Sequence, residues 1–150
     1  MERVVLFIAT GAYSGYSPVI PGTVGTLVGI GIFLIFYTHS PFGYVAILLL
    51  LFFLAVFISD KAENILQEKD SKHIVIDEIF GFMVAMAFLP NRVLYIVLGF
   101  FFFRLFDILK IFPANRIERK FKNGYGVVLD DLIAGVYTNL LLQGLRFLKS

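Results

Sequence analysis

From Val45 to Phe57 the chain reads VAILLLLFFLAVF, without one polar side chain, and from Tyr95 to Phe103 it reads YIVLGFFFF. Apolar runs that approach a bilayer's thickness in helical rise mark membrane segments. Hydrocarbon offers no partner to a backbone N–H or C=O, so such segments satisfy their own hydrogen bonds and form helices. Composition agrees. Of 150 residues, 59% are hydrophobic and 16% are charged, whereas a soluble domain is roughly half apolar. The expected fold is all-α: a small polytopic helical bundle in a membrane, one domain over residues 1–150, with four to five hydrophobic segments.

The segments run from about Gly22 to Tyr37, Phe42 to Ser59, Ile74 to Leu89, Val93 to Leu109 and Val128 to Leu148. Several sit at or below the roughly 17 residues that a spanning helix needs, so either their ends protrude or some are partly re-entrant. Tyr37 to Pro41 and Pro90 to Arg92 are tight connections. Asp60 to Asp70 is charged and reads as an amphipathic helical extension with Ile65 and Leu66 on its apolar side and a solvated face of Asp60, Lys61, Glu63, Glu68, Lys69 and Asp70. Lys110 to Gly126 is basic, with Lys110, Arg116, Arg119, Lys120 and Lys122. Counting Arg3, about nine basic residues fall on one side and about three on the other, which puts the richer side in the cytoplasm. The N-terminus is then cytoplasmic. With five crossings the C-terminus is outside, against the weaker pull of Arg146 and Lys149. Met1 to Ala9 makes a poor signal peptide and is expected to stay in the mature protein.

Ionisable groups inside membrane segments are costly and point to function. Here they share a depth. Asp77 and Glu78 stand near the cytoplasmic start of the third segment, Arg104 and Asp107 in the last turns of the fourth with Lys110 just beyond, and Asp130 and Asp131 at the start of the fifth. Topology therefore brings sequence-distant clusters to one face. Arg104, Asp107 and Lys110 lie along one helical stripe. Of each adjacent acidic pair, only one member is expected to face a shared point squarely. Carboxylates crowded at the edge of a low-dielectric region repel one another. A divalent cation relieves this, and hard oxygen ligands favour Mg²⁺, Mn²⁺ or Ca²⁺. Arg104 and Lys110 suit phosphate oxygens. The pattern reads as metal-assisted phosphoryl chemistry at the membrane surface.

Taken singly, each cluster also has a structural explanation: dipole partners at a helix start for Asp130 and Asp131, and an intrahelical ion pair for Arg104 and Asp107. His73 reads as interfacial, and the Gly25/Gly29 spacing as helix packing. These accounts leave the shared face unexplained. Other chemistries drop out. The chain has no cysteine, its net charge of +2 is too small to suggest nucleic acid, and it has only His39 and His73. Neither histidine has a context suited to a phosphohistidine mechanism, and no Asp-x-Asp-x-Thr appears. A metal-activated water remains as nucleophile.

Ahead of the first segment stands SGYSPVIPGTVGT, Ser14 to Thr26. Prolines restrict its backbone and glycines allow close approach. Its hydroxyls and the following helix N-terminus suit phosphate, with Ser17, Gly22 and Thr23 the expected contacts. The alternative is a rigid cap on a short helix.

Four motifs, in order, resemble the bacterial phosphatidylglycerophosphatase A family: GYSPVIPGT from Gly15, IDEIFG from Ile76, FRLFDILK from Phe103 and GYGVVLDDLIAG from Gly124. The resemblance covers nearly the whole chain. It departs at Ile111-Phe112-Pro113, where the family shows Pro-Trp-Pro, and at Asn123, where a glycine pair is reduced. It implies a small Mg²⁺-dependent enzyme of the inner membrane, active site facing the cytoplasm, that removes the terminal phosphate of phosphatidylglycerophosphate to give phosphatidylglycerol. It also implies that the acidic catalytic motifs correspond to Asp77, Glu78, Asp107, Asp130 and Asp131. On this reading a subset of those five binds Mg²⁺, and one of them, Glu78 among the candidates, orients or deprotonates water. Arg104 and Lys110 neutralise phosphoryl charge. Spacing does not separate ligand from base. The rival reading is an ion or proton transporter using the carboxylates as a cation path. Transporters place such sites near the midplane of repeated halves, and no repeat is visible here.

Overall fold

The computed structural model describes residues 1–38, 40–113, 116 and 124–148. His39, Arg119, Lys120, Lys122, Asn123 and Lys149 lie outside the described residues. The described chain is helical and contains no strand. In order come α1 (Glu2–Ala9), a 3-10 turn (Ser14–Tyr16), α2 (Pro21–Phe36), α3 (Pro41–Leu66), α4 (Ile76–Ala85), α5 (Val93–Leu109) and α6 (Gly124–Leu148). Pro21 and Pro41 occupy helix starts, where the missing N–H costs nothing.

Two helices, α3 and α6, are long and apolar enough to cross a membrane; α2 is apolar but shorter. Only 28% of the apolar window of α3 is buried, so most of its apolar surface is left uncovered by the rest of the chain. Leu49, Leu50, Phe53 and Phe57 face outward. An uncovered apolar surface of this kind suits lipid.

The architecture centres on α4, which packs against α2, α3, α5 and α6. All its residues are buried except Glu78, which is half-buried. The main core gathers Phe33 of α2, Phe82 and Met83 of α4, Phe103 of α5 and Leu142 of α6. Close approach comes from glycine. A Cβ on Gly81 would stand 2.7 Å from the Phe103 ring and 2.8 Å from the Asp131 carbonyl, and Gly135 abuts the Gly81 carbonyl. Small residues of this kind let helix backbones meet in membranes. Gly25 and Gly29 likewise receive Val75 and Phe82, as packing positions.

The third expected segment needs correction. Its helix covers only Ile76–Ala85, about 15 Å of rise, half of a hydrocarbon core. Its C-terminal carbonyls therefore end inside the bundle. They are met by side chains: Tyr44 Oη donates to Met83 O at 2.7 Å, and Asn139 Nδ2 donates to Ala85 O at 3.0 Å and Ala87 O at 2.8 Å. Gln143 Nε2 donates to Ala87 O at 3.1 Å, and Arg146 Nη1 to Phe88 O at 3.0 Å. Three turns of α6 thus do what water does for a helix end at a surface.

The solvated face assigned to 60–70 also needs correction. The helix does extend through Leu66, and Ile65 and Leu66 pack on a core cluster. Glu63, however, is 3% exposed. Its carboxylate is turned inward onto the connection that follows, accepting from Lys69 Nζ at 3.0 Å and from the Asp70 N–H at 2.8 Å.

Replacing Asn139 with leucine should leave the Ala85 carbonyl without its side-chain donor, while Ala87 O keeps Gln143, and cost about 1–3 kcal/mol. A thermal unfolding midpoint in detergent equal to that of the unsubstituted chain would contradict this capping role.

Candidate active site

The N-terminal end of α4 meets the last turns of α5 and the first turns of α6. Asp70, Asp77, Glu78, Asp107, Lys110, Val127, Asp130 and Asp131 surround one cavity there, of about 140 Å³. Asp77 and Glu78 occupy the first turn of α4, where the helix dipole favours negative charge. Two sets of carboxylates each lie with one oxygen per residue within 4.8 Å of the others: Asp77, Glu78 and Asp131, and Asp107, Asp130 and Asp131. Asp131 is common to both.

Both members of each adjacent pair therefore reach the cavity, which corrects the expectation of one. Successive residues of a helix are about 100° apart. The extra methylene of Glu78 spans that step and returns its carboxylate to the side of Asp77.

The two cations are unevenly shared. Arg104 Nη1 donates to Asp107 Oδ2 and stands 3.9 Å from Glu78 Oε1. Lys110 terminates α5 in a left-handed conformation (φ 45°) and so leaves the helical stripe, bringing Nζ to 3.3 Å from Asp130 Oδ2. Asp107 and Asp130 are thus matched with a cation. By contrast Asp77 Oδ1, Glu78 Oε2 and Asp131 Oδ2 are buried without a hydrogen-bond partner among the described residues. Asp77 is 6% exposed and Asp131 4%. Unpartnered buried carboxylate oxygens are rare because they are costly. Their convergence is what an oxygen-ligated divalent cation requires, so the residues present fit a metal.

The Ser14–Thr26 stretch lies beside this site but presents it little hydroxyl. Ser17 Oγ donates to Val19 O at 2.9 Å, Ser14 Oγ to Thr10 O at 3.1 Å and Thr26 Oγ1 to Gly22 O at 2.9 Å. Thr23 is half-buried in the first turn of α2, its N–H donating to Ile20 O at 3.0 Å. Neither Ser17 nor Thr23 lines the acidic cavity. Gly22 is different: its backbone lies against the Glu78 carboxylate and the Arg104 guanidinium. The end of α1 and the loop after it are fastened to the segment before α4, with the Val75 N–H donating to Ala9 O at 2.9 Å. His73 Nδ1 lies 3.0 Å from Gly15 O, and the ring stacks on Tyr16. His73 serves this fastening.

Asp70 is the residue that sequence reasoning missed. Its place in a charged run suggested solvent, and only the fold of 67–75 carries it to the cavity.

The family model for phosphatidylglycerophosphatase A matches residues 7–146. The chain belongs to the phosphatidylglycerophosphatase A family. Its relatives include the phosphatidylglycerophosphatase A of Haemophilus influenzae, 32% identical over 146 residues, covering 93% of this chain and 87% of the relative. That of Escherichia coli is 32% identical over 131 residues, covering 86% and 76%. A Bacteroides thetaiotaomicron protein with the provisional name phosphatidylinositol-3-phosphatase is 33% identical over 150 residues, covering 95% and 93%. No solved structure matches the chain. As a member of the phosphatidylglycerophosphatase A family the chain is a phosphatase.

A Cβ at Gly22 would stand 3.0 Å from Arg104 Nη2 and nearer still to Glu78 Oε1. Both are ends of flexible side chains, so Gly22→Ala should fold normally while displacing them. Phosphate release is expected to fall roughly tenfold or more at an unchanged unfolding midpoint. Wild-type turnover in this variant would remove Gly22 from the site.

Proposed function

We propose that the chain hydrolyses the terminal phosphomonoester of phosphatidylglycerophosphate, giving phosphatidylglycerol and inorganic phosphate, and that it uses Mg²⁺. All 150 residues act as one membrane-embedded domain, multi-pass in the inner membrane, with the acidic cavity open to the cytoplasm. The observation that carries this reading is the trio of buried, unpartnered carboxylate oxygens on Asp77, Glu78 and Asp131, in a chain that matches the family from residue 7 to 146.

Asp77, Glu78 and Asp131 would hold the ion; bound there, Mg²⁺ supplies Lewis-acid polarisation of the phosphoryl group and a water made more acidic. The protein's own part is placement and charge. The lipid's acyl chains lie between helices or in the inner leaflet, and its phosphate reaches the cavity. Arg104 and Lys110, held by Asp107 and Asp130, are aligned to meet the phosphoryl oxygens and balance charge that builds on them. A carboxylate of the set takes the proton from the attacking water. The water oxygen bonds to phosphorus, the bond from phosphorus to the glycerol oxygen breaks, and that oxygen is protonated as the lipid leaves. Gly22 lets the first turn of α2 press against Glu78 and Arg104, so α2 backs the site through its main chain.

The Bacteroides relative's name supports one competing substrate, a 3-phosphoinositide. Both are monoester phosphates on a glycerolipid, and the cavity's chemistry serves either.

Purified chain in mixed micelles should release phosphate from phosphatidylglycerophosphate with Mg²⁺ and lose this with chelator. It should turn over phosphatidylinositol 3-phosphate more slowly. Asp77→Ala and Asp131→Ala should each cost on the order of 10²-fold or more. Undiminished turnover in either variant would overturn the site assignment, and preference for the inositol lipid would overturn the substrate.

A further inference from the structure

One buried carboxylate lies outside the set just described. Glu63, on the last turn of α3, is almost fully enclosed, and both its oxygens are engaged by the connection that follows: Lys69 Nζ at 3.0 Å on Oε2 and the Asp70 N–H at 2.8 Å on Oε1. The connection is held tightly. The Glu68 N–H returns to Glu63 O at 3.2 Å, and Ser71 Oγ donates to Glu68 Oε2 at 2.6 Å. Gln67 and Asp70 both take left-handed conformations, with φ of 53° and 50°. Two such residues in so short a stretch persist only where surrounding contacts impose them. Burying a carboxylate is expensive, and Lys69, mostly in solvent, needs no buried partner. The bond to the Asp70 backbone is what the enclosed position provides.

Its consequence is local. Asp70, itself solvent-exposed, stands at the edge of the acidic cavity with Asp77, Glu78, Asp107, Asp130 and Asp131. The cavity has independent marks of a cation site in Asp77 Oδ1 and Asp131 Oδ2, on side chains more than nine-tenths buried and aimed inward without partners. An added negative charge at the mouth attracts a divalent cation through a medium less screening than bulk water.

We propose that Glu63 is a positioning residue that holds Asp70 at the mouth of the acidic cavity, where Asp70 raises the site's affinity for a divalent cation. This rests on the metal reading given above. Groups outside the direct ligands typically shift metal affinity about 10–100-fold, and the exposed position of Asp70 places it at the lower end.

The test is Mn²⁺ binding by the full chain in detergent, followed by electron paramagnetic resonance. Asp70→Asn should weaken binding roughly tenfold, and Glu63→Leu should do the same. Glu63→Gln keeps the acceptor for the Asp70 N–H and should restore most of the affinity. Lys69→Met should stay within about twofold of the unsubstituted chain, since only the ion pair is lost. The Glu63→Leu, Asp70→Asn double variant should bind no more weakly than Asp70→Asn alone, because the two act through one group. Unchanged binding in Asp70→Asn overturns the inference, and so do additive losses in the double variant. If Glu63→Leu does not fold, Asp70→Asn on its exposed turn still decides. Absence of Mn²⁺ binding in the unsubstituted chain overturns the metal reading and this inference with it. Binding there, with Asp70→Asn unaffected, overturns this inference alone.

Discussion

Five carboxylates, with Asp70 a sixth at the edge, meet two cations at the N-terminal end of a short helix, and the surrounding structure is arranged around that imbalance. Arg104 and Lys110 match Asp107 and Asp130. Asp77, Glu78 and Asp131 retain oxygens with no hydrogen-bond partner among the described residues. Inside a bundle this is costly, and three things make it tolerable. The first turn of α4 presents the positive end of its dipole to Asp77 and Glu78. The cations on α5 offset part of the negative charge. A divalent ion would offset most of the remainder. Close contact between Gly81 and Gly135 allows α6 to bring Asp131 against α4, so the carboxylates are held together by backbone packing instead of being free to separate.

The same short helix dictates what happens at its other end. A ten-residue helix cannot carry its last carbonyls to a membrane surface, so they must find donors within the protein. Tyr44, Asn139, Gln143 and Arg146 supply them. One end of α4 thus concentrates negative charge, and the other is sealed by neutral amides, a phenol and one guanidinium. The α6 helix serves both ends, with Asp130 and Asp131 in its early turns and Asn139 to Arg146 in its later ones.

Much of this was legible in the residues. Periodicity and apolar runs give the helices, and α2 and α5 fall almost where the hydrophobic segments do. The grouping of Asp77, Glu78, Asp107, Lys110, Asp130 and Asp131 follows from alternating direction along the chain. What was not legible depends on contacts between distant segments. Nothing in the run DEIFGFMVAMAFL says that its helix stops at Ala85, because the donors that let it stop lie on α3 and α6. Glu63 reads as solvated, and the reach of exposed Asp70 to the cavity is invisible, because local pattern cannot show a connection folding back over its own helix. The hydroxyls of Ser14, Ser17 and Thr26 look available in the sequence, but each donates to a nearby carbonyl. Gly22, with no side chain to offer, backs directly onto the Glu78 and Arg104 pair.

The most direct measurement is the position of a metal. Crystals of the chain grown with Mn²⁺ and examined by anomalous scattering should place an ion among Asp77, Glu78 and Asp131, within the roughly 2.0–2.6 Å typical of hard cations and carboxylate oxygens. An ion seated instead on Asp107 and Asp130, with Arg104 and Lys110 displaced, would contradict this partition of charge. A cavity empty at saturating Mn²⁺ would contradict the account as a whole.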